Sequence, residues 1–197
     1  MAIIPQLFPE SKTQSEVNAK TSEKSKNELN ITETSAFPDN VYGVPVYTEL
    51  IDEGIARPTT KRLVKYIVLH ETVGAKNHAT YLKNNNESST SWHYTIDDHE
   101  IYHHIPDNEI AHHAGDKEGN TYGIGIELCV NKDGNFNKAF DNGAKLVAYL
   151  LEFYDLDITA IKTHHDFTGK DCPNNILKNK RLDEFKNTVN YYLTNKR

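Results

Sequence analysis

Aromatic residues are missing between Phe8 and Phe37, although Phe, Trp and Tyr make up 10% of the 197-residue chain. Ser, Thr, Asn, Lys and Glu fill that stretch instead, and such a segment cannot bury enough apolar surface to offset its ordering entropy. Residues 1–40 are therefore expected to form a flexible polar tail, with one globular domain over 41–197. The tail is not a polybasic arm, since Lys12, Lys20, Lys24 and Lys26 face Glu10, Glu16, Glu23, Glu28, Glu33 and Asp39. A positive excess is lacking in the whole chain as well. Its formal net charge is -6, which excludes a global basic field for gathering nucleic acid or an anionic membrane. No apolar run approaches the ~18 residues of a membrane span, so membrane insertion is not expected. Met1 to Pro9 has no basic start, and Pro5 interrupts its short apolar stretch, so no secretory signal is expected and synthesis in the cytosol is. Cysteine is scarce. Cys129 and Cys172 are the only two, too few for a disulfide framework, and the choice between one 129–172 bridge and two thiols stays open.

From Val41 onward hydrophobic spacing becomes regular. Tyr66-Ile67-Val68-Leu69 reads as a strand buried on both faces. Ala75 to Asn84 reads as a short helix. Trp92 to Asp97 and Glu100 to Ile105 read as a hairpin around Asp98-His99. Gly123 to Val130 reads as another buried strand, stopped by the turn Asn131-Lys132-Asp133-Gly134. Two helices follow, one carrying Phe140, Val147, Leu150, Leu151 and Tyr154, the other Leu182, Phe185, Val189 and Tyr192. Strands interspersed with helices imply an α/β domain with a central mixed sheet flanked by helices. No internal repeat is visible, and a monomer is expected.

What the chain has in quantity is histidine, and all ten lie between His70 and His165. A catalytic metal site needs a few imidazole, thiolate or carboxylate ligands and one open position. His70 ends a buried strand, which suits either a ligand or a satisfied core histidine. Glu71 beside it does not make a helical H-E-x-x-H motif, because the segment is a strand. His164-His165-Asp166-Phe167-Thr168-Gly169-Lys170-Asp171-Cys172-Pro173 holds imidazole and thiol eight residues apart, on a segment expected to be loop because Gly169 and Pro173 break helices. One histidine from the strand plus a histidine and Cys172 from this segment would make a three-ligand zinc site with its fourth position open; Cys172 as a small buried hydrophobe is the alternative. Glu127 lies in an otherwise apolar strand, where a carboxylate is costly unless paired or used. A buried ion pair and a general base remain equal readings. Cys129 shares its strand face and reads as packing.

Together these stretches resemble the type 2 N-acetylmuramoyl-L-alanine amidases, the family of phage lysozyme-amidases, bacterial autolysins and peptidoglycan recognition proteins. The resemblance rests on Val68-Leu69-His70-Glu71-Thr72, Ser91-Trp92-His93-Tyr94, Ala111-His112-His113-Ala114-Gly115, Asn120 with Ile124-Gly125-Ile126-Glu127, and His164 through Pro173, over about residues 45–180. It implies one zinc ion per chain on His70, His164 and Cys172, with Glu127 and Lys170 catalytic and peptidoglycan as substrate. Some members use a tyrosine where this chain has Trp92, which favours Glu127 as the base here. His112 stands where a tryptophan is usual. The same motifs put Trp92, His93, Tyr94 and His113 near substrate. Two other readings accompany the amidase. One is a binding-only wall module, which the presence of Cys172, Glu127 and Lys170 disfavours. The other is a cytosolic amidase recycling anhydro-muropeptides, a branch that resembles Asp at position 172. A lytic enzyme without a signal is expected to reach the wall by another route, such as a membrane lesion.

Overall fold

The computed structural model describes residues 37–72 and 88–195. The helix expected at 75–84 and nearly all of the expected tail lie outside the described residues. Seven strands form one sheet: β1 (Asn40–Val41), β2 (Val44–Thr48), β3 (Tyr66–Glu71), β4 (Tyr94–Ile96), β5 (Ile101–His103), β6 (Gly123–Leu128) and β7 (Ile161–Thr163). Their order is β1-β2-β5-β4-β6-β3-β7. The β1–β2 and β4–β5 pairs are antiparallel, and the other four neighbours run parallel. The expected mixed sheet is present, and the run at 66–69 lies between two parallel neighbours. The hairpin is present too, with Asp97 Oδ1 accepting from the backbone N–H of His99 and Glu100 to close its turn.

The helices are α1 (Lys117–Tyr122), α2 (Phe136–Phe153), α3 (His164–Thr168), α4 (Asn174–Lys178) and α5 (Leu182–Thr194). Asn135 starts α2 by accepting from the Lys138 N–H, which satisfies an otherwise orphan donor. No helix among the described residues is long and apolar enough to cross a membrane.

Side chains alternate between the faces of a strand, and this period organises the molecule. Ile124, Ile126 and Leu128 of β6, with Ile67 and Leu69 of β3, join one cluster with Phe140, Ala144, Val147 and Leu151 of α2 and Phe185 and Val189 of α5. Burying side chains of this size contributes about 1.5–3 kcal/mol each, so this face supplies most of the cohesion. The opposite face of the same two strands carries Val68 and His70 against Gly123, Gly125 and Glu127. It is covered by α1, α3 and the turn 111–115. A smaller cluster of Ile51, Ala56, Trp92, Ile105 and Ala111 lies under the segment 49–62, which Glu109 anchors through Arg57 at 2.7 Å and Lys61 at 2.8 Å.

Packing extends upstream of the composition boundary at 40. The Phe37 ring sits 5.1–5.2 Å from the rings of Tyr94, His103 and Tyr149. A partly buried aromatic with three ring neighbours contributes less than the full cost of a core Phe→Ala change, so Phe37→Ala is expected to lower unfolding stability by about 1–3 kcal/mol. Denaturant midpoints would measure this; a shift near zero would return the boundary to residue 41.

Candidate active site

Parallel strands end at the same level, and β3 and β6 end in chemistry. His70 and Glu127 are register partners, so both side chains leave one face of the sheet side by side. Next to them β7 runs into α3. The segment from 164 was expected to be loop, but Gly169 and Pro173 both lie beyond Thr168, which leaves room for one helical turn. Thr163 caps it, its hydroxyl accepting from the Asp166 N–H while the Asp166 carboxylate accepts from the Thr163 N–H at 2.7 Å. Gly169 ends it at φ +74°, a conformation glycine adopts without steric cost. His164 is thereby the first residue of a capped turn, and it projects toward His70.

Cys172 follows on the return of the chain, and Glu71 fixes that return. The Glu71 carboxylate accepts from the backbone N–H of Asn175 (2.7 Å) and Ile176 (3.0 Å) at the start of α4. This anchoring role of Glu71 links positions more than a hundred residues apart and has no local signature in the sequence. The result is a triangle in which one ligand atom from each of His70, His164 and Cys172 lies within 4.8 Å of the others. Cys172 Sγ is 3.8 Å from His70 Nδ1. Both cysteines are free thiols, so the 129–172 bridge is not formed. Cys129 is buried, as expected of a packing residue.

The triangle opens into a cavity of about 620 Å³ whose walls include His70, His164, Cys172, Glu127, Lys170, Trp92, His112 and His113. Ser88, Ser89 and Thr90 also line it. That polar run just ahead of Trp92 was the available sequence signal for them, and it carried no assignment. Trp92 is largely buried, its indole N–H donating to Thr95 Oγ1 at 2.8 Å.

Of the four residues expected near substrate, Trp92 and His113 reach the cavity, and His93 and Tyr94 do not. Both of the latter are fully buried. Tyr94 faces the core and donates its hydroxyl to Asp107 at 2.6 Å. His93 accepts from the Gly125 N–H at 3.0 Å and meets Arg62 at 2.8 Å. Their hydrogen bonds tie both side chains into the scaffold.

The electrostatics follow from burial. His70 is held well below the ordinary histidine range by desolvation, with His113, His164 and Lys170 adding repulsion. His164 is lowered by burial and by Lys170. Burial pushes the Cys172 thiol up to about 11. It also pushes Glu127 up to about 8, with Lys170 acting in the opposite direction. Glu127 Oε2 is sealed from solvent and has no hydrogen-bond partner among the described residues, so the ion-pair reading lacks a partner there. Buried polar atoms are nearly always satisfied, and an orphan asks for an occupant. The lone pairs of two uncharged imidazoles and a thiol that needs a cation to ionise suit a divalent metal ion.

A chain whose sheet and cavity are built this way belongs to the N-acetylmuramoyl-L-alanine amidase family, whose sequence model matches residues 59–175. Among individual relatives, it is 41% identical over 129 residues to the N-acetylmuramoyl-L-alanine amidase XlyA of Bacillus subtilis, covering 61% of this chain and 43% of that one. It is 39% identical over 130 residues to the amidase CwlH of the same organism, covering 61% and 52%. The chain thus spans about half the length of these relatives. In structure it is similar to the catalytic domain of XlyA, with a TM-score of 0.69 at 37% identity over 74% of this chain and 99% of that one. It is also similar to the PlyG catalytic domain, with a TM-score of 0.70 at 28% identity over 78% and 98%.

Proposed function

We propose that the protein is a zinc-dependent amidase that hydrolyses the bond between N-acetylmuramic acid and the L-alanine of the peptidoglycan stem peptide, and that it acts on the cell wall. The observation that carries this reading is the placement of Glu127. A carboxylate with one sealed, unpartnered oxygen stands in register beside His70, in one cavity with His164, Cys172 and Lys170. The names of the relatives support the choice of bond.

His70, His164 and Cys172 would hold the zinc, and three protein ligands leave one tetrahedral position open, the arrangement of catalytic sites. When bound, the metal supplies Lewis-acid polarisation of the amide carbonyl and acidification of water. Glu127 takes the proton of the attacking water and returns it to the alanine nitrogen as the C–N bond breaks. A carboxyl held near neutrality suits both transfers, and the positive charge of Lys170 favours its ionised form. Lys170 is exposed at the cavity wall, on the segment that carries Cys172. Its ammonium offsets the negative charge that develops on the carbonyl oxygen. Partly exposed His112 offers a flat surface to sugar or peptide, with an edge of Trp92 beside it in the cavity wall.

Digestion of purified sacculi followed by mass spectrometry is the direct test. The expected products are stem peptides with a new L-alanine amino terminus and glycan strands left whole. New reducing ends, or cleavage within the peptide, would replace the proposed bond with another. Intact sacculi would point to a binding-only module, and turnover of soluble anhydro-muropeptide alone would point to a recycling amidase.

A further inference from the structure

One imidazole in the cavity wall is left without a part in this scheme. His113 is nine-tenths buried, and its ring packs closely against Gly125 of β6. A Cβ on Gly125 would stand 2.5 Å from His113 Cγ, and one on Gly123 would stand 3.2 Å from Cε1. The two glycines are the bed in which the ring lies. Asn120 Oδ1 fixes the backbone above it by accepting from the N–H groups of His113 at 2.9 Å and Ala114 at 2.7 Å.

The hydrogen bonds of this ring have a forced direction. A carbonyl only accepts, so Gly123 O, 3.0 Å from His113 Nε2, places the ring proton on Nε2. A neutral imidazole then has its lone pair on Nδ1. That nitrogen lies 3.0 Å from His70 Nε2, which must be the donor. His70 consequently carries its proton on Nε2 and its lone pair on Nδ1, the nitrogen that faces Cys172 Sγ at 3.8 Å. We propose that His113 is a positioning residue, and that the relay from Gly123 through His113 holds His70 in the Nε2–H tautomer and so presents Nδ1 to the metal. The inference rests on the metal reading above and adds that the ligand's tautomer is set by the protein before any ion arrives. Outer partners of ligating histidines act in this way on orientation and basicity.

Two amide side chains separate this role from simple packing. Asparagine places a carbonyl oxygen where the ring has Nδ1, so His113→Asn keeps an acceptor for His70. Glutamine reaches the position of Nε2, so His113→Gln keeps the link to Gly123 but leaves His70 Nε2–H without its acceptor. Long-range ¹⁵N–¹H spectra of the zinc-stripped full chain, labelled on histidine, report the tautomer. Competition with a chromophoric chelator reports zinc affinity. The wild type and His113→Asn are expected to hold His70 as Nε2–H, whereas His113→Gln populates the Nδ1–H form and binds zinc roughly 10–100-fold more weakly. Equal tautomers and affinities in the two variants, or an Nδ1–H His70 in the wild type, would overturn the proposal. A wild type that binds no zinc would sink the metal reading instead, and the tautomer spectra would still decide for or against the relay.

Discussion

Replacing Glu127 by Gln is expected to lower turnover on peptidoglycan by roughly 10²–10⁴-fold, because the amide keeps the shape of the side chain and cannot accept the proton. Zinc content should not change. The same substitution should raise the stability of the metal-free protein, and the sign can be worked out. Burial lifts the folded-state pKa of Glu127 to about 8 from an ordinary 4.5. Below 4.5 the group is protonated in both states and contributes nothing. As pH rises from 4.5 to 8 the unfolded chain ionises first, so folding is progressively disfavoured, and above 8 the cost is constant. Glu127→Gln removes that cost. At pH 7 the chelated variant should be more stable by roughly 1–3 kcal/mol, allowing for the residue's remaining solvent contact, and near pH 4.5 it should match the wild type. A buried ion pair predicts the reverse, since losing one partner strands the other. Near-normal turnover in zinc-loaded Glu127→Gln would remove the residue from the proton transfer. Lys170→Ala is the companion case. It should slow turnover while leaving substrate binding largely intact, because the charge it answers exists only in the transition state.

Cys172→Ser should weaken zinc binding by more than the roughly 10–100-fold that loss of an outer partner costs, since a hydroxyl is a far poorer ligand than a thiolate. Activity should fall with occupancy and recover only at zinc concentrations high enough to refill the site. Chelator competition read alongside turnover would measure both. Unchanged affinity in the variant, or zinc-loaded wild type with Cys172 bonded to Cys129, would dismantle the proposed ligand set.

Much of this arrangement was legible because strand ends and motif spacing are local signals. The apolar run 66–69 located β3, and the eight-residue step from His164 to Cys172 survived an error about the segment between. That segment was read by its helix breakers alone, although Thr163 and Asp166 form a capping pair that the sequence also displays. His93 and Tyr94 share a short motif with Trp92, which alone of the three lines the cavity. Side-chain direction is a tertiary property: Tyr94 turns to Asp107 and His93 to Arg62, partners distant enough in sequence to leave no local trace. The pairing of His113 with His70 spans 43 positions. It was hidden for the same reason, although Gly123 and Gly125 marked the bed that the ring needs.

The alternation along Gly123–Leu128 divides labour within six residues. Ile124, Ile126 and Leu128 answer to the α2 side of the sheet, while Gly123 and Gly125 make room for His113 and Glu127 lines the cavity. Substitutions at the even positions of this strand therefore act first on packing, and substitutions at the odd positions on the ground beneath the cavity.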